Sequence, residues 1–172
     1  DSVVWNDDVA TAEAFGNILY TDAIDKKMFT GEYCYYEDST GYIMATDSAL
    51  VIDYSQADTM FAHADTFKIF TYNIDTDSVY RIMHGYHHMR VFHNDVQAVC
   101  DSMVYDSRDS LLIMYQDPIL WQAGQQQLGE EIRMFFGNGN IDSVQVLRQA
   151  LSVERIDSIH YNQVSGHEMH SY

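Results

Sequence analysis

ATDSALVIDYSQADTMFAHAD, residues 45–65, decides the fold, because a shortened version of it returns at residues 98–117 as AVCDSMVYDSRDSLLIMYQD. Each copy runs small residue, acid, apolar alternation, polar turn, apolar alternation, acid. Successive side chains of a strand point to opposite faces, so Ala49 and Val51 behind Asp47 share a face, as do Met103 and Tyr105 behind Asp101. The unit is therefore a strand, a tight reversal and a second strand. The reversals, Asp53 to Asp58 and Asp106 to Asp109, are rich in Asp and Ser, which turn a chain by hydrogen-bonding their own backbone. Two such copies predict a repeated β architecture.

The composition points the same way. The 172 residues include 13 Tyr and 8 Phe but one Pro, Pro118, and aromatic and β-branched residues suit a pleated, half-buried surface. The length predicts a single domain spanning 1–172, able to bury a core without disulfides or metals. A formal net charge of -17, with 9 Lys and Arg, excludes the cationic footprint that nucleic acid or an anionic membrane surface requires. No stretch approaches the roughly 20 apolar residues of a membrane-spanning helix, and there is no charged-then-apolar leader. The chain opens at Asp1 without Met and stops at Tyr172 without a terminal signature, which reads as a segment cut from a longer protein. Cys34 and Cys100 are too few for a disulfide framework; they read as small buried hydrophobes, or as a pair if they face each other in an oxidising compartment.

Working outward, Ala12-Glu13-Ala14-Phe15 reads as a weak copy of the Ala64-Asp65-Thr66-Phe67 corner, with a helix over Val9 to Phe15 as the competing expectation. Met28 to Tyr36 alternates as a strand entered from the turn Asp25-Lys26-Lys27 and left through Glu37 to Gly41. Phe67 to Tyr72 is a further strand, Asn73 to Asp77 a turn, and residues 78–95 two strands broken near His84-Gly85. Pro118 stands at the start of a short strand, Ile119 to Trp121, where its missing N–H matters least. Ala123 to Gln127 reads as a polar connection and Gly137 to Asn140 as a hairpin turn. Residues 141–156 fit helix and strand about equally, with context favouring strand, and the closing HYNQVSGHEMHSY alternates again. The corner acids Asp47, Asp65, Asp101 and Glu130 stand 18, 36 and 29 residues apart, too irregular for a strict solenoid.

The stretches ATDSALVIDYSQADTMFAHADTFKIF, RVFHNDVQAVCDSMVYDSRDSLLIMYQDPILW and NQVSGHEMHSY, a little over half the chain, resemble the lipopolysaccharide-transport family, in particular its periplasmic bridge protein and the OstA-like domain. That resemblance implies an open antiparallel β-jelly roll whose apolar interior holds acyl chains. It also implies a place in the periplasm of a Gram-negative bacterium, and edge-to-edge joining of such rolls, with itself or with related proteins, into a bridge towards the outer membrane. The acidity departs from the best-known bridge proteins and carries no cationic contacts to lipid phosphates.

From the residues alone, a rolled sheet with one apolar face either fills the enclosed space or leaves it open to guests. The residues behind the corners, Val51, Phe67, Ile69, Met103, Tyr105, Ile132 and Met134, are expected on the inner face as core or as groove lining. Flexible Met and flat aromatics suit acyl chains, and each buried methylene contributes about 0.8 kcal/mol. The rival is a jelly-roll metalloenzyme built on His84, His87, His88 and His93, with His63 nearby. On one regular strand, however, His84 and His88 face one way and His87 and His93 the other. No nucleophile elbow, phosphate-cradling glycine loop or zinc-type cysteine pair is present, so no enzyme, metal or cofactor is expected. A structural module with a filled core is the third possibility.

Overall fold

The computed structural model describes residues 2–23, 26–55, 58–137 and 140–172. Thirteen strands follow in chain order: β1 (Ser2–Asn6), β2 (Thr11–Asp22), β3 (Lys27–Glu37), β4 (Tyr42–Asp53), β5 (Met60–Tyr72), β6 (Tyr80–Phe92), β7 (Val96–Asp106), β8 (Leu111–Tyr115), β9 (Ile119–Gln122), β10 (Gln125–Leu128), β11 (Glu131–Gly137), β12 (Asn140–Arg155) and β13 (Tyr161–Ser171). All belong to one antiparallel sheet, and no helix occurs among the described residues. Neighbours in sequence are mostly neighbours in the sheet, as expected where tight polar turns join strands. The pairings also close a ring of six strands, β7–β8–β11–β12–β10–β9, because β7 and β12 each carry two short strands along one edge. The expected all-β antiparallel class is thus observed. The strand order is a meander ending in a closed six-strand barrel, where an open jelly roll was expected.

Every long strand is creased near its middle. Alternate strands place two consecutive residues in the left-handed region: Gly16 and Asn17 in β2, Asp47 and Ser48 in β4, His87 and His88 in β6, Gln116 and Asp117 between β8 and β9, Arg148 and Gln149 in β12. The register slips by one residue at each of these pairs, so two residues on the creased strand oppose one on its neighbour. The opposing residues are Glu32, Asp65, Asp101, Glu130 and His167. Side-chain parity changes at the crease. In β5 the inward residues are Ala62 and Ala64, then Phe67 and Ile69, skipping three; in β4 they are Ile43 and Ala45, then Ala49 and Val51, skipping four.

The crease divides the sheet into two leaves that close on one core. In the first leaf an unbroken row runs Cys34, Ala45, Phe67, Gly85, Met103, Met114, Ile132, Val146, Met169, and behind it lie Ile43, Ile69, Met83, Tyr105, Leu112, Met134 and Val144. The second leaf answers with small residues, Ala49, Ala62, Ala64, Ala98 and Ala150, together with Phe29, Met89 and Leu120; these form one buried cluster with Ala45, Phe67, Met103, Met114, Ile132, Met134, Val144 and Val146 of the first leaf. Large side chains meet small ones, and the Met89 sulfur occupies the space left by Gly85. Tyr105 on the first leaf has its phenol pKa raised, by burial first and then by Asp53, which lies at the end of β4 on the second leaf.

Several expectations are corrected. Asp47 and Asp101 are not equivalent: Asp47 belongs to a left-handed pair, whereas Asp101 faces one, so the true series is Glu32, Asp65, Asp101 and Glu130. The break expected near His84-Gly85 falls at His87-His88 inside one strand, β6. Ala123 and Gly124 form the turn, but Gln125 to Gln127 are strand. Val9 to Phe15 is not helical, and the crease of β2 lies just past Phe15. Of the turns, Asp25, Gln56, Ala57, Asn138 and Gly139 lie outside the described residues, while the strands flanking them end and begin where expected.

Gly129 is fixed by the close approach of β12: an added Cβ would lie 2.6 Å from Val146 Cγ1 and 3.0 Å from the Leu147 carbonyl oxygen. Gly129→Ala is therefore expected to cost about 1–3 kcal/mol in urea unfolding. Gly137→Ala, whose Cβ meets nothing closer than 3.6 Å, should stay within about 0.5 kcal/mol of the parent. Equal stabilities for the two variants would contradict this packing.

Candidate functional site: the interior and the crease

The interior is built by the crease, and the crease by polar residues. Each of the four acids opposite a left-handed pair touches a residue of that pair. Glu32 accepts a hydrogen bond from the Asn17 N–H at 3.3 Å, Asp65 Oδ2 lies 2.8 Å from His88 Nδ1, and Asp101 Oδ1 lies 3.2 Å from His87 Nδ1. Glu130 receives Gln149 Nε2 at 2.8 Å and Arg148 Nε at 2.9 Å. Non-glycine residues in this conformation cost about 1–3 kcal/mol each, and these contacts offset part of it. The surface pairs are individually weak, about 0–1 kcal/mol, because Asp65, Asp101 and Glu130 remain partly in water. Glu131 differs: it is buried, and Arg133 Nε at 2.6 Å and Arg148 Nη2 at 3.0 Å clamp its two oxygens.

This explains the histidines. His87 and His88 sit in the crease of β6 and turn to opposite neighbours, Asp101 on β7 and Asp65 on β5. His84 lies on the outer face, stacked on Tyr86 at 5.8 Å between ring centroids and edge-on to Phe70 at 5.5 Å. The set is dispersed, and among the described residues no group of three or more His, Cys, Asp or Glu is placed to hold a metal ion. Sequence inspection missed the role of these residues, although a signal was present: a polar dipeptide, GN, DS, HH or RQ, within β2, β4, β6 and β12, and QD between β8 and β9.

All seven residues expected behind the corners lie on the inner rows, in two environments. Phe67, Met103, Ile132 and Met134 are buried, the last three inside the six-strand ring. Val51, Ile69 and Tyr105 are half-buried, and with Met83 and Val91 they line the part of the interior away from the ring. Cys34 and Cys100 are free thiols, and burial raises both pKa values, Cys100 to about 12, which makes them poor nucleophiles.

The inner rows reach solvent at both ends of the sheet. Val3 is 74% exposed, Tyr20 59% and Val164 59%. Among the described residues, β1 covers β2 only over Thr11–Phe15, no strand pairs with the same edge of Ile18–Asp22, and β13 pairs with β12 alone. No helix of the described residues is long and apolar enough to cross a membrane. No family model matches this chain, and no curated protein matches it in sequence.

The His84 ring tests the description of the outer face. Burial first, then the Lys68 charge, disfavours its protonated form and lowers its pKa. The native state accordingly binds this proton less readily than the unfolded chain, and loses stability as pH falls through the ordinary histidine value near 6.5. NMR titration should give a His84 midpoint below that value; a midpoint at or above it would contradict the packing against Phe70, Tyr86 and Lys68.

Proposed function

We propose that this protein is a non-enzymatic carrier of a lipopolysaccharide-like amphiphile, working as one segment of a periplasmic bridge. The observation that supports this is the pair of inner apolar rows, continuous from strand to strand, half-open over β2–β6 and uncovered at both ends. An alkyl chain laid along Val51, Ile69, Met83, Val91 and Tyr105 would leave water at about 0.8 kcal/mol per methylene without needing a specific polar contact. In this proposal the leaves act as an open roll over β2–β6, while the closed ring supplies the rigid base. Transport is passive, with direction imposed by a pump elsewhere.

Joining of segments follows from the alternation of the crease. β13 carries a single residue, His167, opposite the left-handed pair of β12, so the strand that continues the sheet must again carry a pair. β2 is such a strand, with Gly16 and Asn17, and among the described residues no strand pairs with its outer Ile18–Asp22 edge. Addition of the first half of β13 there would continue the inner row from Val164 to Tyr20 and cover both.

Photocrosslinking amino acids at positions 69 and 105, on protein isolated from a Gram-negative host, are expected to label lipopolysaccharide, identified by mass spectrometry. Absence of lipid adducts at both positions would favour a structural module with a filled core, for which the buried Phe67, Met103, Ile132 and Met134 are the supporting observation. For the joining step, sedimentation at rising concentration should show self-association that Val164→Lys abolishes. Unchanged association in that variant would exclude the β13–β2 contact.

A further inference from the structure

A further cleft lies away from the crease, at the outer end of the second leaf. It is cut into the rim of the second leaf, where the β6–β7, β9–β10 and β12–β13 turns come together, and it has a volume of about 700 Å³. Roughly 300–1,000 Å³ is usual for small-ligand sites. Trp121, 37% exposed, is among the residues lining it. The sheet register sets Gln97 directly across from Trp121 on one side and Gln126 on the other, so the ring lies between two primary amides about 5 Å away on adjacent strands. Tyr161 adds a second exposed aromatic ring, and Gln122 and Gln125, on the opposite face of the same strands, line the inner side of the cleft. Among the described residues, the side chains of Gln97, Gln122 and Gln126 make no hydrogen bond within the chain.

We propose that this rim cleft is a binding site for a neutral oligosaccharide. A flat aromatic face takes the C–H face of a sugar ring, and each amide offers both donors and an acceptor to vicinal hydroxyls. The charge pattern narrows the class. On a chain of net charge -17, the only charged residues lining the cleft among the described residues are Asp95 and Arg155, one of each sign. The site therefore lacks the cationic excess that would hold an anion against the surrounding field, and an uncharged ligand pays no such penalty. Ala123 and Gly124 both adopt left-handed conformations in a two-residue turn, and the space around Gly124 is open, which keeps the cleft accessible beside Trp121. The inference does not depend on the carrier role, since the ring could come from a free glycan or from a glycolipid headgroup.

Trp5→Phe leaves Trp121 as the single tryptophan of the full chain, and its emission reports occupancy directly. The probes are triacetylchitotriose and maltotriose in solution, and phosphatidylcholine vesicles with and without digalactosyl diacylglycerol. A saturable change with a dissociation constant of about 10 μM to 1 mM is expected, weakened about tenfold or more by Gln97→Ala with Gln126→Ala, whose thermal unfolding should match the parent. A response to the trisaccharides assigns free glycan as a competent ligand; a response confined to the glycolipid vesicles assigns the headgroup. The proposal is overturned by no saturable response to any sugar-bearing probe, by an equal response to plain phosphatidylcholine, or by binding that the double variant leaves unchanged.

Discussion

A hydrogen-bonded sheet cannot crease in one strand alone. If β6 bends at His87-His88 while β5 and β7 run straight, the ladder on both sides is lost beyond the bend, and each unpaired backbone group withdrawn from water costs about as much as a lost hydrogen bond. The bend is therefore shared along a line across the sheet: a left-handed pair on every second strand and one residue opposite it on the strands between. Acids on alternate strands stand about 10 Å apart along that line, near enough to touch the next pair and too far apart to repel strongly in salt. Everything else in the molecule, including the facing leaves, the single core and the two open ends, follows from this line.

The crease also sets the size of the core residues. Rows next to a fold approach each other most closely, so one leaf must yield volume there. The second leaf does so with Ala49, Ala64 and Ala150, and Phe67, Met103, Met114 and Ile132 of the first leaf fill the space. Further from the fold the leaves separate, and Ile69, Tyr105, Val51 and Val91 are only partly covered. A gradient from packed core to half-open apolar lining thus arises within one sheet.

How much of this was legible in the sequence depends on parity. The period-two alternation of Phe67 and Ile69, or of Met103 and Tyr105, is undisturbed within a half-strand, so the strands and the inward residues could be read from it. The small residue and acid before each half-strand were visible too. What was hidden is that alternation resumes after a skip of three in one kind of strand and four in the other. Aligning Asp47 with Asp101 merged the two kinds, and β6 was accordingly broken at Gly85, the one glycine in it, when two histidines carry the bend. Gln125 to Gln127 read as a loop by composition because strand pairing on both sides, with β9 and β12, outweighs the weak strand preference of glutamine. The rim cleft was illegible, since Gln97, Trp121 and Gln126 become neighbours only through register.

The crease can be measured directly by the distance between spin labels at positions 95 and 107, which bracket β7. A straight strand would separate them by about 40 Å, twelve steps of about 3.3 Å. A strand folded at Asp101 brings the leaves together and predicts a single distribution well below about 35 Å. A distance near the straight value would contradict the folded sheet, and with it the shared interior on which the proposed carrier role rests.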